Sequence, residues 1–154
     1  PRRAPPAADR GVPVSGIDAI YQDKILAYAA DIPRLGKLPD ATHKGEAVSR
    51  ACGSEISVYL KLEDGLITDY AQKVDACALG SAAASIVARS IVGATPAEVE
   101  QARDEMRAML KQDGPVPGGN FAELGLLQSA RSLTNRHSSM LLALDASVRA
   151  LKSK

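Results

Sequence analysis

The sequence predicts an α+β fold: a leading amphipathic helix, a sheet centred on a β-hairpin, and helices from there to the end. Three observations carry that expectation. Ile56, Val58, Leu60 and Leu62 alternate with Ser57, Tyr59 and Lys61, the period-two signature of a half-buried strand. Glu63-Asp64-Gly65 follows as a turn, because glycine accepts the positive φ that short hairpin connections demand. After the return strand the apolar residues recur at helical spacing to the end of the chain.

The elements follow in order. Ile17, Ile20, Tyr21, Ile25 and Tyr28 recur near a 3.6-residue period behind a capping Asp18, so 18–31 is expected to be an amphipathic helix with those residues inward, ended by Ile32-Pro33. A polar connection from Arg34 to Lys44 leads to a weakly signalled short strand, Glu46–Arg50. After the hairpin turn the return strand runs from Leu66 to Val74, with Leu66, Thr68, Tyr70, Gln72 and Val74 expected on its inner face. Leu79–Val92 is an Ala/Ile/Val-rich helix that Gly93 is placed to cap in the left-handed conformation.

Thr95-Pro96-Ala97-Glu98 combines three helix-start signals: a capping threonine, proline in the first turn, and an acidic third residue able to reach back. Val99, Ala102, Met106, Met109 and Leu110 face inward from that helix. Its charged residues, Glu98 to Arg107, form a solvated face with internal ion pairs. Asp113–Asn120, with its prolines and glycines, is a loop. Phe121–Leu127 is a short helix, and Ser139–Leu151 the last one.

Composition bounds the rest. A chain of 154 residues, 45% apolar and 24% charged, fits one globular domain, taken as 17–154 behind an extended segment, 1–16. That segment, Pro1-Arg2-Arg3-Ala4-Pro5-Pro6 onward, lacks an initiator methionine; it reads as a processed end, the tail of a cleaved targeting sequence, or an artificial boundary. Four Tyr, one Phe and no Trp leave an aliphatic core and no aromatic platform for bases. With a formal charge of +1 and no long run of like charge, nucleic acid is not expected as a partner. No apolar run reaches the roughly 18 residues of a membrane span, so no direct membrane insertion is expected.

The two cysteines, Cys52 and Cys77, match neither a CxxC redox pair nor a zinc ribbon, and on spacing alone they read as buried thiols in a reducing compartment. In context they read differently. Cys52-Gly53 just before the alternating strand, Cys77-Ala78-Leu79-Gly80-Ser81-Ala82 at the strand-to-helix junction, and His137-Ser138-Ser139-Met140-Leu141 opening the last helix occur in an order that resembles the IscU/SufU/NifU N-terminal family of iron–sulfur cluster scaffolds. The similarity covers about 18–151 and is nearer the SufU side, since the long segment Gln101–Thr134 separates the second and third motifs.

The resemblance implies a small three-stranded antiparallel sheet with helices on one face and a metal or cluster site at one tip. Cys52 and Cys77 stand at the first and second cysteine positions of the family, and His137 at its histidine. Ser138 stands where the third cysteine would be, Ser54 where an aspartate would be, and Leu133-Thr134-Asn135-Arg136 departs from the Pro-Pro-Val-Lys-type segment gripped by a dedicated chaperone. The implied site is Cys52, Cys77 and His137, with Glu55 and Ser138 as further candidates, for zinc, a transient two-iron cluster, or no cofactor.

Thiolate and imidazole are workable ligands for such cargo, whereas a neutral serine hydroxyl is a poor one. The bland readings are a capping or surface role for His137, a solvated strand face for Glu55, an exposed His43, and an N-cap for Ser138. Gly80 to Ala83 are read as small so that their helix can pack closely on the sheet.

Two functions follow from the resemblance. One is a non-catalytic cluster scaffold, or metal and sulfur carrier, served by a cysteine desulfurase. The other is a repurposed structural subunit of a larger complex that kept the fold and lost the chemistry. Either is expected in the cytoplasm or mitochondrial matrix. No Ser/His/Asp constellation, phosphate-binding loop or HExxH pattern supports a hydrolase or transferase.

Overall fold

The computed structural model describes residues 19–51 and 53–153, with side chains described from Tyr21 onward. The expected extended segment 1–16, Ile17, the capping Asp18, the Ile20 side chain and Cys52 lie outside the described residues. The elements in chain order are α1 (Ala19–Ala30), β1 (His43–Ser49), β2 (Ser54–Glu63), β3 (Leu66–Asp75), α2 (Ala78–Ser90), α3 (Pro96–Lys111), a 3₁₀ segment (Gly119–Ala130), a 3₁₀ turn (Thr134–Arg136) and α4 (His137–Lys152). The fold is α+β, with an antiparallel sheet in the order β1-β2-β3. Helices α2 and α4 lie against the sheet, α1 packs on α2, and α3 on α4.

The β2–β3 hairpin closes through Asp64 (φ 52) and Gly65 (φ 80), both left-handed, between the paired Glu63 and Leu66. Two successive positive φ values suit a two-residue connection to the twist of the flanking strands. Beyond the turn the expected inner face of β3 holds only in part. Lys61 pairs with Asp69 but Leu62 with Ile67, so Thr68 is an extra residue in a β-bulge. One inserted residue reverses which side chains face the core. Tyr70 and Gln72 are buried as expected, but Leu66 and Thr68 are exposed and Ile67 is wholly buried in their place.

Strand β1 begins at His43 and ends at Ser49, earlier at both ends than expected. Its sequence signal is weak because its hold is tertiary. A Cβ on Gly45 would collide with the backbone of Ala146 and Ala150, so the missing side chain lets α4 lie directly on the strand. Helix α4 also covers the outer edge of β1, where Arg149 Nη1 donates to Glu46 O at 2.9 Å and Ser153 Oγ to Lys44 O at 3.0 Å. The opposite edge is covered by the connection after α1: Gly36 N–H donates to Gln72 O at 2.8 Å and Gln72 N–H to Arg34 O at 2.9 Å. Both edges are thus blocked against further strand pairing. His43, expected to be exposed, is half-buried and bonded to Thr42 Oγ1 at 2.8 Å.

Helix α2 is the centre of the molecule. Every residue from Leu79 to Ala88 is buried, and a helix with neighbours all round must be built from apolar or small residues. It ends two residues sooner than expected. Gly93 has φ 97, but its N–H donates to Ile67 O at 2.7 Å rather than to a helix carbonyl, so it ties the helix exit to the bulged strand. The α3 start is as predicted: Glu98 N–H donates to Thr95 Oγ1 at 3.2 Å, and Thr95 N–H to Glu98 Oε1 at 2.8 Å. The five expected core residues of α3 are all buried. Its charged face holds internal pairs such as Arg103–Asp104 at 3.0 Å, and it also reaches α4 through Arg107–Asp145 and Lys152–Glu100.

Elsewhere the sequence expectations shift by a turn or a face. On α1, Ile25 is buried and Tyr28 half-buried, but Tyr21 is 44% exposed. Tyr28 Oη instead donates to Glu123 Oε2 at 2.8 Å, joining α1 to the 3₁₀ segment. That segment is longer than the short helix expected over Phe121–Leu127, and it takes in the end of the predicted loop.

Candidate functional site

Ser49 and Ser54 face each other in register at the ends of β1 and β2, where the chain turns at Arg50, Ala51 and Gly53. Gly53 takes φ 68 there, a conformation that suits glycine. Cys52 precedes Ser54 by two positions and is not among the described residues. At the same end of the sheet, β3 gives way to α2 through Cys77, the N-cap residue, whose backbone is extended (φ −66, ψ 173). Its carbonyl accepts the first intrahelical bond from Ser81 N–H at 2.8 Å. The third arrival is the first turn of α4, which starts at His137, two residues before the predicted start.

Hydrogen bonds tie these three segments together. Cys77 N–H donates to Ser54 Oγ at 3.4 Å, Cys77 Sγ lies 3.3 Å from Ser139 Oγ, and Ser139 Oγ donates to Ser54 Oγ at 3.3 Å. Ser49 Oγ and Ser138 Oγ pair at 2.6 Å. Ser49, Ser54 and Ser139 are buried, whereas Cys77 is half-buried and Ser138 exposed. The result is a sulfur at a helix N-terminus, where peptide dipoles favour negative charge, beside the Ser139 hydroxyl.

Ser138 does not cap α4. The residue before the helix is Arg136, without a side-chain cap, and Ser138 lies inside the first turn with its hydroxyl on Ser49. His137 is not exposed and does not N-cap α4, although its N–H on Thr134 O closes the preceding 3₁₀ turn: it is 4% exposed and its Nε2 lies 2.6 Å from Arg131 O. A carbonyl can only accept, so Nε2 carries a proton, and in the neutral ring the lone pair is left on Nδ1. This is the tautomer in which a backbone carbonyl orients a ligating imidazole. Glu55 follows the strand alternation to the opposite face from Ser54, exposed beside Ser57, Lys73 and Asp75. Among the described residues no three His, Cys, Asp or Glu side chains form a group able to hold a metal ion.

Sequence reasoning passed over Ser49, Ser139 and the true duty of Gly80. A Cβ on Gly80 would strike the Ser139 hydroxyl, so Gly80 makes room for α4, where the sequence reading assigns that room to the sheet. The signal was present in the small residues of both helix starts, but only the packing shows that those starts face each other.

The chain matches the family described as NifU-like N terminal domain over residues 20–132. It is 30% identical over 133 residues to the iron-sulfur cluster assembly scaffold protein IscU of Thermotoga maritima, covering 86% of this chain and 93% of that protein. Its structure resembles a nitrogen-fixing NifU-like protein (N-terminal) from Brucella abortus, with a TM-score of 0.83, 42% identity, and coverage of 86% and 92% of the two chains. A putative iron-sulfur cluster assembly scaffold protein for the SUF system from Fervidobacterium islandicum shares the fold, with a TM-score of 0.75 at 21% identity over 86% of this chain and 96% of that one. On the family match over residues 20–132 and the 30% identity to a scaffold covered over 93% of its length, the chain belongs to the NifU-like N-terminal domain family of iron–sulfur cluster assembly scaffolds.

Proposed function

We propose that this protein is a non-catalytic carrier of iron–sulfur or zinc cargo that works with a thinned set of thiolates. The observation that supports the reading is the meeting of Cys77, Ser54 and Ser139 at one end of the sheet, next in sequence to Cys52 and His137. Cys52 and Cys77 would supply thiolates, and His137 would supply Nδ1 in the tautomer imposed by the Arg131 carbonyl. Glu55, facing away, is left out of this set, and Ser138 would contribute only a hydroxyl. Such a donor set suits zinc completed by water, and it would hold a two-iron cluster weakly, because that cargo favours four strong ligands. A weak hold serves a carrier that must release what it receives. By analogy with the cluster assembly scaffolds it resembles, its partner would be a cysteine desulfurase.

Elemental analysis of protein purified without tag or chelator, followed by zinc titration, tests this. One saturable zinc site, lost in Cys77→Ser and in Cys52→Ser, is the expected result. Absence of zinc and iron together with absence of a saturable site overturns it, and leaves a structural subunit of a larger complex as the remaining reading of the fold.

A further inference from the structure

The hydroxyl of Ser139 is wholly buried in the first turn of α4. Two serines deeper in helices return their hydroxyls to the carbonyl one turn back, Ser147 to Ala143 O at 2.7 Å and Ser90 to Ile86 O at 2.8 Å, whereas Ser85 reaches across to Asp31 O at 3.1 Å. Ser139 lies too early in α4 to do so and reaches sideways. Its Oγ is 3.3 Å from Cys77 Sγ and donates to Ser54 Oγ at 3.3 Å. Gly80 leaves the space the hydroxyl occupies.

We propose that Ser139 is the positioning residue for Cys77, holding the sulfur by a hydrogen bond and so setting the direction in which it meets cargo. The proposal rests on the reading above that the Cys77 sulfur is the working atom. As a thiol Cys77 can donate to Ser139 Oγ while Ser139 donates to Ser54; as a thiolate Cys77 can only accept, and the Ser139 hydroxyl then turns from Ser54 to the sulfur. Ser54 Oγ also accepts the Cys77 N–H at 3.4 Å. One pair of hydroxyls therefore grips Cys77 by its side chain and its main chain together. Partners that orient a metal ligand from outside typically change affinity by about 10–100-fold when removed.

The test begins with Cys52→Ser protein, in which Cys77 is the only remaining thiol, and reads the infrared S–H stretching band. The band is expected to move to higher frequency when Ser139→Ala is added, and to stay in place with Ser139→Thr. In protein with both cysteines, Ser139→Ala should weaken zinc binding about tenfold and Ser139→Thr should restore it. If the alanine variant does not fold, the isosteric pair Ser139→Val and Ser139→Thr carries the same comparison. A folded Ser139→Ala protein with an unmoved band and unchanged zinc affinity overturns the assignment, provided Cys77→Ser abolishes zinc binding. If Cys77→Ser binds zinc as the wild type does, the functional reading itself fails and the role given to Ser139 falls with it.

Discussion

Ser49 Oγ and Ser138 Oγ stand 2.6 Å apart, joining the end of β1 to the first turn of α4 at the residue that the family resemblance sets in the place of a third cysteine. Ser49 has a further interaction besides this one, so its burial does not depend on Ser138 alone.

Ser138→Cys is therefore expected to fold, at a cost of about 1 kcal/mol for the lost hydrogen bond. Thermal denaturation measures that cost. The restored thiolate should raise zinc affinity in a competition titration and should let cluster absorbance persist during anaerobic reconstitution with iron and sulfide. A folded variant that gains neither shows that this end of the sheet cannot gather ligands.

Gly45→Ala should be among the most damaging single-methyl additions in the chain. The new Cβ would meet the backbone at Ala146 and Ala150, which cannot rotate away as a side chain can. A loss of about 1–3 kcal/mol or more is expected, read as a lower urea midpoint. An unchanged midpoint would mean that β1 and α4 are not held in direct contact.

Thr95→Ala removes one half of the capping box at the start of α3. About 1 kcal/mol should be lost, and because the site is remote from Cys77, zinc binding should not change. Denaturation and titration on the same preparation check both parts.

Asp145, on α4, has its carboxyl pKa raised above the ordinary 3.8 chiefly by burial, with Arg107, Arg103, Arg149 and Lys111 partly opposing the shift. A raised folded-state value means that the native state binds the proton more tightly than the unfolded chain does. The stability from this group is complete below the ordinary value and is lost as pH rises through the raised one. Asp145→Asn should remove that slope, so the stability difference between wild type and variant should shift toward the variant as pH rises from about 3.8. Denaturation series across acidic to neutral pH test it; parallel curves would refute it.

The legible parts of this protein were those whose signal is local. The capping box at Thr95, the Asp64-Gly65 turn and the inward stripe of α3 each depend on neighbours a few residues away, and each stands in the structure as read; in β2 Ile56, Val58 and Leu60 are buried as read, but so is Tyr59 from the other set, and Leu62 is only half-buried. The candidate site was legible in part, as an ordered series of short motifs. Their meeting at one end of the sheet joins residues up to 89 positions apart, so only the packing could establish it.

What the sequence by itself determined is the set of helices and strands and the identity of the chemistry-bearing residues, since propensity, capping and periodicity act over a few bonds. What only the tertiary structure decided is which face each presents. The bulge at Thr68 brought Ile67 into the core in place of its neighbours, and Gly45 let α4 lie on a strand with little strand character of its own. The Arg131 carbonyl selected the His137 tautomer, and the closeness of two helix starts turned Ser139 toward Cys77. These outcomes come from close packing and from the need to satisfy buried polar groups, conditions that exist only once distant segments have met.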